Sequence, residues 1–416
     1  VGGTLTWSIA SLDERIKAAA PIYGCGWEFY PYPPDLKAPV GDDLRLWRKL
    51  IAPEAHAARI RCPLHFLSAT NDFHGRMDLA YHTLAQLGSS QKSLVFTRNY
   101  NHHVEPDEGH SLPEFFATHF QGNRPAWPMT PTVQVKESQM GIPLVRVKPS
   151  NLDRVERVEI NYCLNNASPT GRFWRGGESP TPDGNTFVAS APYLSESDTL
   201  FVFANVYYKS GASVSSALIK QDAANIPNAR PTLKPQNLID AMEDATNWHW
   251  VPAYTDPCRY DRFFVDWSGP SLAICFTLDP KTFGHAGAMH YHFGTRKIGD
   301  PQFQGVDPVK KTDATGKEAT KLLLIDFVTE NRPEQLTVRL TRREPGQNEV
   351  EFTAKISFPQ AKKGDWQTIS MKPEEFRDAQ QKVLPNWDHL ELFALDGVNP
   401  AKKPPIFKRL RWETSP

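Results

Sequence analysis

The sequence predicts an α/β segment followed by two all-β segments. Three observations carry this. Residues 64–97 hold two short apolar runs, 64–69 and 93–97, separated by a helical stretch, which is the strand–helix–strand pattern of a parallel sheet. Residues 131–222 alternate apolar and polar side chains in short runs with turn residues between them, as a two-sheet sandwich does. Residues 236–416 repeat that character over a longer span, which fits a jelly roll.

Taken in order, residues 4–11 follow Gly2-Gly3 and suit a helix whose small residues approach a sheet closely. Residues 16–23 (Ile-Lys-Ala-Ala-Ala-Pro-Ile-Tyr) form a short apolar run and are read as a buried strand. Residues 24–60, rich in Pro, Trp and Tyr, read as an excursion over the sheet rim. The chain returns through Ile60-Arg61-Cys62-Pro63 to strand 64–69, then helix 76–87 stopped by Gly88, then strand 93–97. Residues 112–120 predict an amphipathic helix with Leu112, Phe115, Phe116 and Phe120 on one side.

These elements define an α/β domain at 1–122 and a linker at 123–130. A β-sandwich of immunoglobulin-like type follows at 131–222, with a Pro-containing connection at 223–235 and a last β domain at 236–416. Within the sandwich the strand candidates are 133–136, 144–148, 155–161 and 199–208. In the last domain they are 272–278, 322–328, 335–339, 350–356, 366–370, 390–395 and 407–412.

Composition narrows the function classes. With 47 basic and 47 acidic residues the chain has no electrostatic case for binding nucleic acid or an anionic membrane. No apolar run is long enough for a membrane span. Thirty-six prolines fit loop-rich β architecture. The five cysteines (Cys25, Cys62, Cys163, Cys258, Cys275) show no CxxC or metal-ligand spacing, and nothing calls for a cofactor or metal. Oligomeric state is not legible.

The chemistry-bearing stretch is 64–103. Asp72 closes one predicted strand in Asn71-Asp72-Phe73, and His102 and His103 stand just past the next in Asn101-His102-His103. Parallel strands present such ends on one rim, where open α/β sheets bind ligands. An Asp and a His there are two members of an Asp–His–nucleophile triad, with imidazole taking and returning the proton. The structural alternative is that Asp72 caps the following helix and the histidines are surface residues. His102 is preferred as base, with His103 as the alternative. Val1-Gly2-Gly3 matches the end of a Gly-x-Ser-x-Gly elbow, so the nucleophile is expected just before Val1, with the Val1 N–H as an oxyanion donor.

On Gly2-Gly3-Thr4-Leu5-Thr6-Trp7, Asp13–Pro21 (Asp-Glu-Arg-Ile-Lys-Ala-Ala-Ala-Pro), Ile60-Arg61-Cys62-Pro63, Asn71-Asp72-Phe73 and Asn101-His102-His103, residues 1–122 resemble the C-terminal half of an α/β-hydrolase of the dienelactone hydrolase/acetyl xylan esterase group. The resemblance implies a Ser or Cys nucleophile upstream of Val1, Asp72 and His102 as its partners, and a chain inactive by itself, since losing a triad nucleophile costs on the order of a millionfold. Gly364-Asp365-Trp366-Gln367-Thr368-Ile369 and Lys408-Arg409-Leu410-Arg411-Trp412 resemble carbohydrate-binding jelly rolls of the galactose-binding-like type. Together these resemblances imply an ester hydrolase deacylating a polysaccharide such as acetylated xylan, or a small ester, outside the cytoplasm. The alternatives are a prolyl oligopeptidase-like peptidase with the same triad, and a catalytically dead glycan-binding protein.

Trp27 and Tyr30, with Tyr32, are candidates for a sugar-stacking wall, against the alternative of lid packing. His285, His290 and His292 are read as polar strand residues rather than metal ligands, because no carboxylate or cysteine stands at a matching spacing. Of Trp248, Trp250, Trp267, Trp366, Trp387 and Trp412, most are expected in a core. Cys25 is read as structural.

Overall fold

A computed structural model describes residues 2–26, 41–72, 75–176, 180–242, 247–250, 263–267, 272–276, 289–305, 320–328, 335–356, 366–399 and 406–415. The chain divides into two compact units, 1–233 and 234–416. Among the described residues no helix is long and apolar enough to cross a membrane.

The first unit begins with α1 (Gly2–Leu12). Residues 16–23 then run parallel to β1 (Leu64–Ala69), with hydrogen bonds Ala19 N–Pro63 O 2.9 Å, His65 N–Ala19 O 3.0 Å, Leu67 N–Pro21 O 3.0 Å and Tyr23 N–Leu67 O 2.8 Å. Pro21 has no N–H to offer, and these bonds place its carbonyl, not its nitrogen, toward the ladder. Part of the 24–60 excursion is helical, as α2 (Gly41–Leu50) and α3 (Pro53–Ala57). The sequence reading missed both because its Pro/Trp-rich composition masked the short amphipathic run after Gly41. After β1 come α4 (Met77–Ala85), β2 (Lys92–Thr97), α5 (Pro106–Gly109) and α6 (Ser111–Phe120). β1 and β2 pair in parallel, Leu64 opposite Lys92 through Ala69 opposite Thr97. Of the four apolar residues expected on one side of α6, Phe115 is buried, Leu112 and Phe116 are half-buried, and Phe120, at the last turn, is exposed.

Two antiparallel sheets follow. One is β3 (Thr132–Gln139), β4 (Ile142–Lys148), β8 (Thr186–Ser190) and β7 (Thr181–Asp183), neighbours in that order. The other is β10 (Ser213–Ser215), β9 (Thr199–Tyr208), β5 (Val155–Leu164) and β6 (Arg175–Gly176), with β11 (Ile219–Asp222) also on β9. Val133, Val135, Val145 and Val147 of the first sheet meet Val158, Ile160, Tyr162, Val202, Ala204 and Val206 of the second in one buried cluster. The other face of the second sheet is buried as well. Cys163, Phe201 and Phe203, with Trp174, join Trp7, Phe66, Met77, Ala80, Leu84, Leu94 and Phe96. β9 is therefore covered on both faces, which explains why 199–208 reads as a near-continuous apolar run instead of alternating. The 123–130 segment docks through Trp127, whose Nε1 donates to Ser93 Oγ at 2.9 Å and whose ring meets His65 edge-on.

The second unit is one antiparallel sheet system. Its main path is β19 (Val350–Ile356), β18 (Gln335–Arg342), β21 (Leu390–Asn399), β16 (Met289–Thr295), β15 (Leu272–Phe276), β22 (Ile406–Ser415), β17 (Thr320–Val328) and β20 (Gln367–Met371). Off it, β12 (Leu238–Asp240) pairs β22, β13 (His249–Trp250) pairs β16 and β14 (Phe263–Trp267) pairs β15. Strands distant in sequence adjoin, as they do in sandwich-like β folds. Leu323, Ile325, Phe327, Leu336, Val338, Leu340, Phe393, Leu395 and Leu410 are fully buried. Trp248 and Trp412 are buried and Trp387 is half-buried: Trp412 Nε1 donates to Phe303 O at 2.7 Å and Trp387 Nε1 to Lys321 O at 2.9 Å. Trp366 is the exception, 41% exposed, with the Lys408 ammonium 3.7 Å from its ring centroid.

Candidate functional site

The register of β1 and β2 aligns their C-terminal ends at Ala69 and Thr97, so the turns that follow lie side by side. Backbone bonds tie those turns together: Thr70 N donates to Thr97 O at 3.0 Å, and Asn71 N to Tyr100 O at 3.0 Å. The Thr70 hydroxyl accepts from Asn99 N at 2.8 Å. Asn99 takes a left-handed conformation (φ 62°), which Asn tolerates better than most side chains.

Asp72 and His102 come together on this rim. His102 Nδ1 lies 2.9 Å from Asp72 Oδ2. A carboxylate only accepts, so Nδ1 carries the proton of this contact, and in the neutral imidazole Nε2 is then the acceptor nitrogen. The Asp72 side chain is fully buried and that of His102 is 37% exposed. Asp72 also receives Gly75 N on Oδ1 at 3.1 Å and Ser68 Oγ on Oδ2 at 3.4 Å. It thus supports the turn before α4 while bonding the imidazole, but it does not cap that helix. The helix cap itself is Arg76.

The His102 ring stacks on Tyr23, centroids 3.8 Å apart and planes 27° apart. Tyr23 holds φ 60°, an outlying conformation for a bulky side chain. Burial, and then the nearby Asp72 carboxylate, push its phenol pKa upward, so the ring stays neutral. The first turn of α1 abuts the same residue: a methyl group on Gly3 would collide with the carbonyl oxygens of Ile22 and Tyr23. The N-terminal end of α1 therefore lies beside the Tyr23 backbone whose ring covers His102.

His103 is engaged elsewhere. Its Nε2 is 3.1 Å from Glu105 Oε1, and that bond draws the Glu105 carboxyl below its usual range. The geometry separates the two adjacent histidines, giving the buried acid to His102. Val1, Trp27, Tyr30, Tyr32 and His285 lie outside the described residues, as do the side chains of His290, His292, Trp250 and Trp267. Cys25 is fully buried and burial pushes its thiol pKa up, the state of a structural cysteine. Among the described residues no group of three or more His, Cys, Asp or Glu is placed to hold a metal ion.

Sequence reasoning gave no role to the residues that hold this rim from behind. Asn71 and Asn99 reach the segment 166–174 of the sandwich, and Arg172 in that segment is fully buried. Glu108 is buried as well, bonded to Thr97 Oγ1 (2.8 Å) and Tyr207 OH (2.6 Å), with burial raising its carboxyl pKa. One usable sign was Asn205, a lone amide inside an apolar strand: its Nδ2 donates to Phe96 O at 2.9 Å, while Ser215 Oγ accepts from Phe96 N at 3.0 Å. These two bonds cover the free edge of β2.

No family model matches the chain, and no curated protein matches it. Solved structures with similarity include a family 11 carbohydrate-binding module from Clostridium thermocellum in complex with a β-1,3-1,4-mixed-linked tetrasaccharide, at 10% identity and TM-score 0.28, covering 44% of this chain and 98% of that one. A structure of carbohydrate-binding modules from the β-sandwich superfamily has 12% identity and TM-score 0.23, covering 68% of this chain and 98% of that one. An exo-β-agarase has 15% identity and TM-score 0.25, covering 44% of this chain and 25% of that one. Scores this low carry no argument about the role of this chain.

Proposed function

We propose that the first unit carries the acid and base of an ester-hydrolysing centre of α/β-hydrolase type, acting on acylated polysaccharide. The observation that supports this is the 2.9 Å bond from His102 Nδ1 to the buried Asp72 carboxylate at the ends of adjacent parallel strands. In this reading His102 Nε2 takes the proton of a nucleophile hydroxyl or thiol as it attacks the ester carbonyl. It then returns the proton to the leaving alkoxide, with Asp72 holding the tautomer throughout. The nucleophile belongs at the N-terminal end of α1, because that end meets Tyr23 beside His102. The acyl-polysaccharide substrate is taken from the sequence resemblance, and such a polymer would place the protein outside the cytoplasm.

The test is hydrolysis of p-nitrophenyl acetate, acetylated xylan and a prolyl peptide amide by the natural protein that contains this sequence, with a fluorophosphonate to label a serine nucleophile. His102→Ala should lower ester turnover by at least about a thousandfold. Turnover that survives the substitution would overturn the assignment, and preference for the amide would favour the peptidase.

A second reading is a glycan-binding protein without turnover. It draws on the exposed Trp366 in the all-antiparallel second unit, a flat ring able to stack on a sugar. Affinity gels containing xylan or mixed-linkage glucan test it: Trp366→Ala should abolish retardation without changing the melting temperature. No retardation of the parent on any such gel would sink it.

A further inference from the structure

We propose that the β-sandwich is a working part of the catalytic rim, its segment 166–174 fixing the Asp72 and His102 turns through Asn71, Asn99 and Arg172 as positioning residues. The inference deepens the hydrolase reading and rests on it. In a sequence-level view the sandwich is an accessory module, able to come and go without disturbing the chemistry.

The contacts are specific. Asn71, next to the acid, shares its Nδ2 among three backbone carbonyls of the sandwich: Pro169 (3.1 Å), Thr170 (3.1 Å) and Arg172 (2.7 Å). Asn99, on the turn that leads to the base, makes a reciprocal pair with Trp174, Nδ2 donating to its carbonyl at 2.9 Å and Oδ1 accepting from its N–H at 2.7 Å. One short segment of the sandwich thus grips both rim turns, at the residue before the acid and three residues before the base. Buried amides satisfied this fully have one geometry to adopt, so the turns they belong to cannot drift independently.

The segment is itself fixed from below. Arg172 is fully buried and forks onto Asp78 in the first turn of α4, Nη1–Oδ1 2.6 Å and Nη2–Oδ2 2.9 Å. Its Nε donates to Asn166 O at 2.9 Å, and its guanidinium lies 4.0 Å from the Phe201 ring centroid. α4 is the helix whose preceding turn Asp72 supports. The loop of contacts closes: acid turn, helix, arginine, sandwich segment, base turn. Dyads of this kind lose function on small displacements, because the imidazole must stay within hydrogen-bond reach of its acid.

The test reads the dyad directly and needs no turnover. The full chain is labelled with 15N-histidine, and the Nδ1–H resonance and ring-nitrogen shifts of His102 are assigned by loss in His102→Gln. The unaltered chain should show a single tautomer with a slowly exchanging Nδ1 proton. Asn71→Ser and Asn99→Ala, each alone, should broaden or abolish that resonance and mix the tautomers. The signals of His65, buried between Ser93 and Ser111 in the same unit, should stay unchanged. Arg172→Lys keeps the charge but not the fork, and should give an intermediate loss. Should one asparagine variant fail to fold, the other and Arg172→Lys still decide.

Variants that melt earlier but keep the His102 resonance intact would overturn the proposal, leaving these residues a structural role only. An intact resonance in the unaltered chain, lost in the variants, with no ester turnover in the natural protein, would refute the hydrolase reading and leave the positioning claim standing.

Discussion

Lowering the pH from 7.5 to 5 should destabilise the first unit, with buried His65 a main contributor. It sits in β1 with no exposed surface, Nδ1 2.8 Å from Ser93 Oγ and Nε2 2.9 Å from Ser111 Oγ. Trp127 and Phe115 close its sides, with ring centroids at 4.9 and 5.5 Å. Burial pushes its pKa down from 6.5 to about 3. The folded pKa is below the unfolded one, so the unfolded chain takes up a proton that the folded chain refuses. The stability that neutral His65 allows is fully present above pH 6.5 and drains away between 6.5 and about 3. At about 1.4 kcal/mol per pH unit, the loss by pH 5 is about 2 kcal/mol. Urea unfolding of the first unit, followed by tryptophan fluorescence at both pH values, measures it. In His65→Gln the loss should shrink by about 2 kcal/mol relative to the parent. Burial lowers the His119 pKa too, adding loss of the same sign, while the raised pKa of Glu108 acts oppositely. Both cancel in the comparison of variant with parent. Equal losses in parent and variant would refute the reasoning.

Arg172→Met removes a buried guanidinium from Asp78; breaking a buried pair costs about 3–5 kcal/mol. The 35% exposure of Asp78 lets water replace part of it, so about 2–3 kcal/mol is expected in urea unfolding of the full chain. Gly3→Ala drives a methyl into the Ile22 and Tyr23 carbonyls and should cost about 1–3 kcal/mol. Gly2→Ala meets nothing within 4 Å and should be neutral or slightly stabilising by calorimetry. In the second unit Asp326 is buried between Arg409 (Oδ2–Nε 2.7 Å), Arg411 (Oδ1–Nη1 2.9 Å) and Thr368 (2.7 Å). Burial works to raise its carboxyl pKa, but these bonds outweigh it and the pKa is lowered. Its contribution is therefore present above the ordinary carboxylate range and lost as pH falls through the lowered value; Asp326→Ala should cost about 2 kcal/mol at pH 7 and progressively less as the pH is taken below the ordinary carboxylate range, read from thermal melts.

The rim was legible because strand ends follow from local pattern. Two apolar runs with a helix between them place Asp72 and His102 on one side whatever packs behind them, and 199–208 announced a strand by its apolar length. Two kinds of fact were out of reach. Which of His102 and His103 meets the buried acid depends on which way one turn faces, so the sequence supports only a preference for His102; in the structure His102 bonds Asp72 and His103 bonds Glu105. The grip of 166–174 depends on tertiary contacts with partners far along the chain, such as Asn71 with Arg172 and Asn99 with Trp174. No period in the sequence encodes these. The exposed Phe120 is a smaller case, since helical spacing assigns it a face but not how far the neighbouring layer extends.

Strand β9 is a party wall. Val202, Ala204 and Val206 look into the sandwich, and Phe201 and Phe203 look into the α/β layer. A cut at 123–130 would strip one side of that wall and leave a slab of Cys163, Trp174, Phe201 and Phe203 facing water. Neither half could then be expected to stay in solution by itself. The α/β layer and the sandwich are to be transplanted as a single block, and a fusion or truncation has to respect residue 233 rather than the change of character at 123–130.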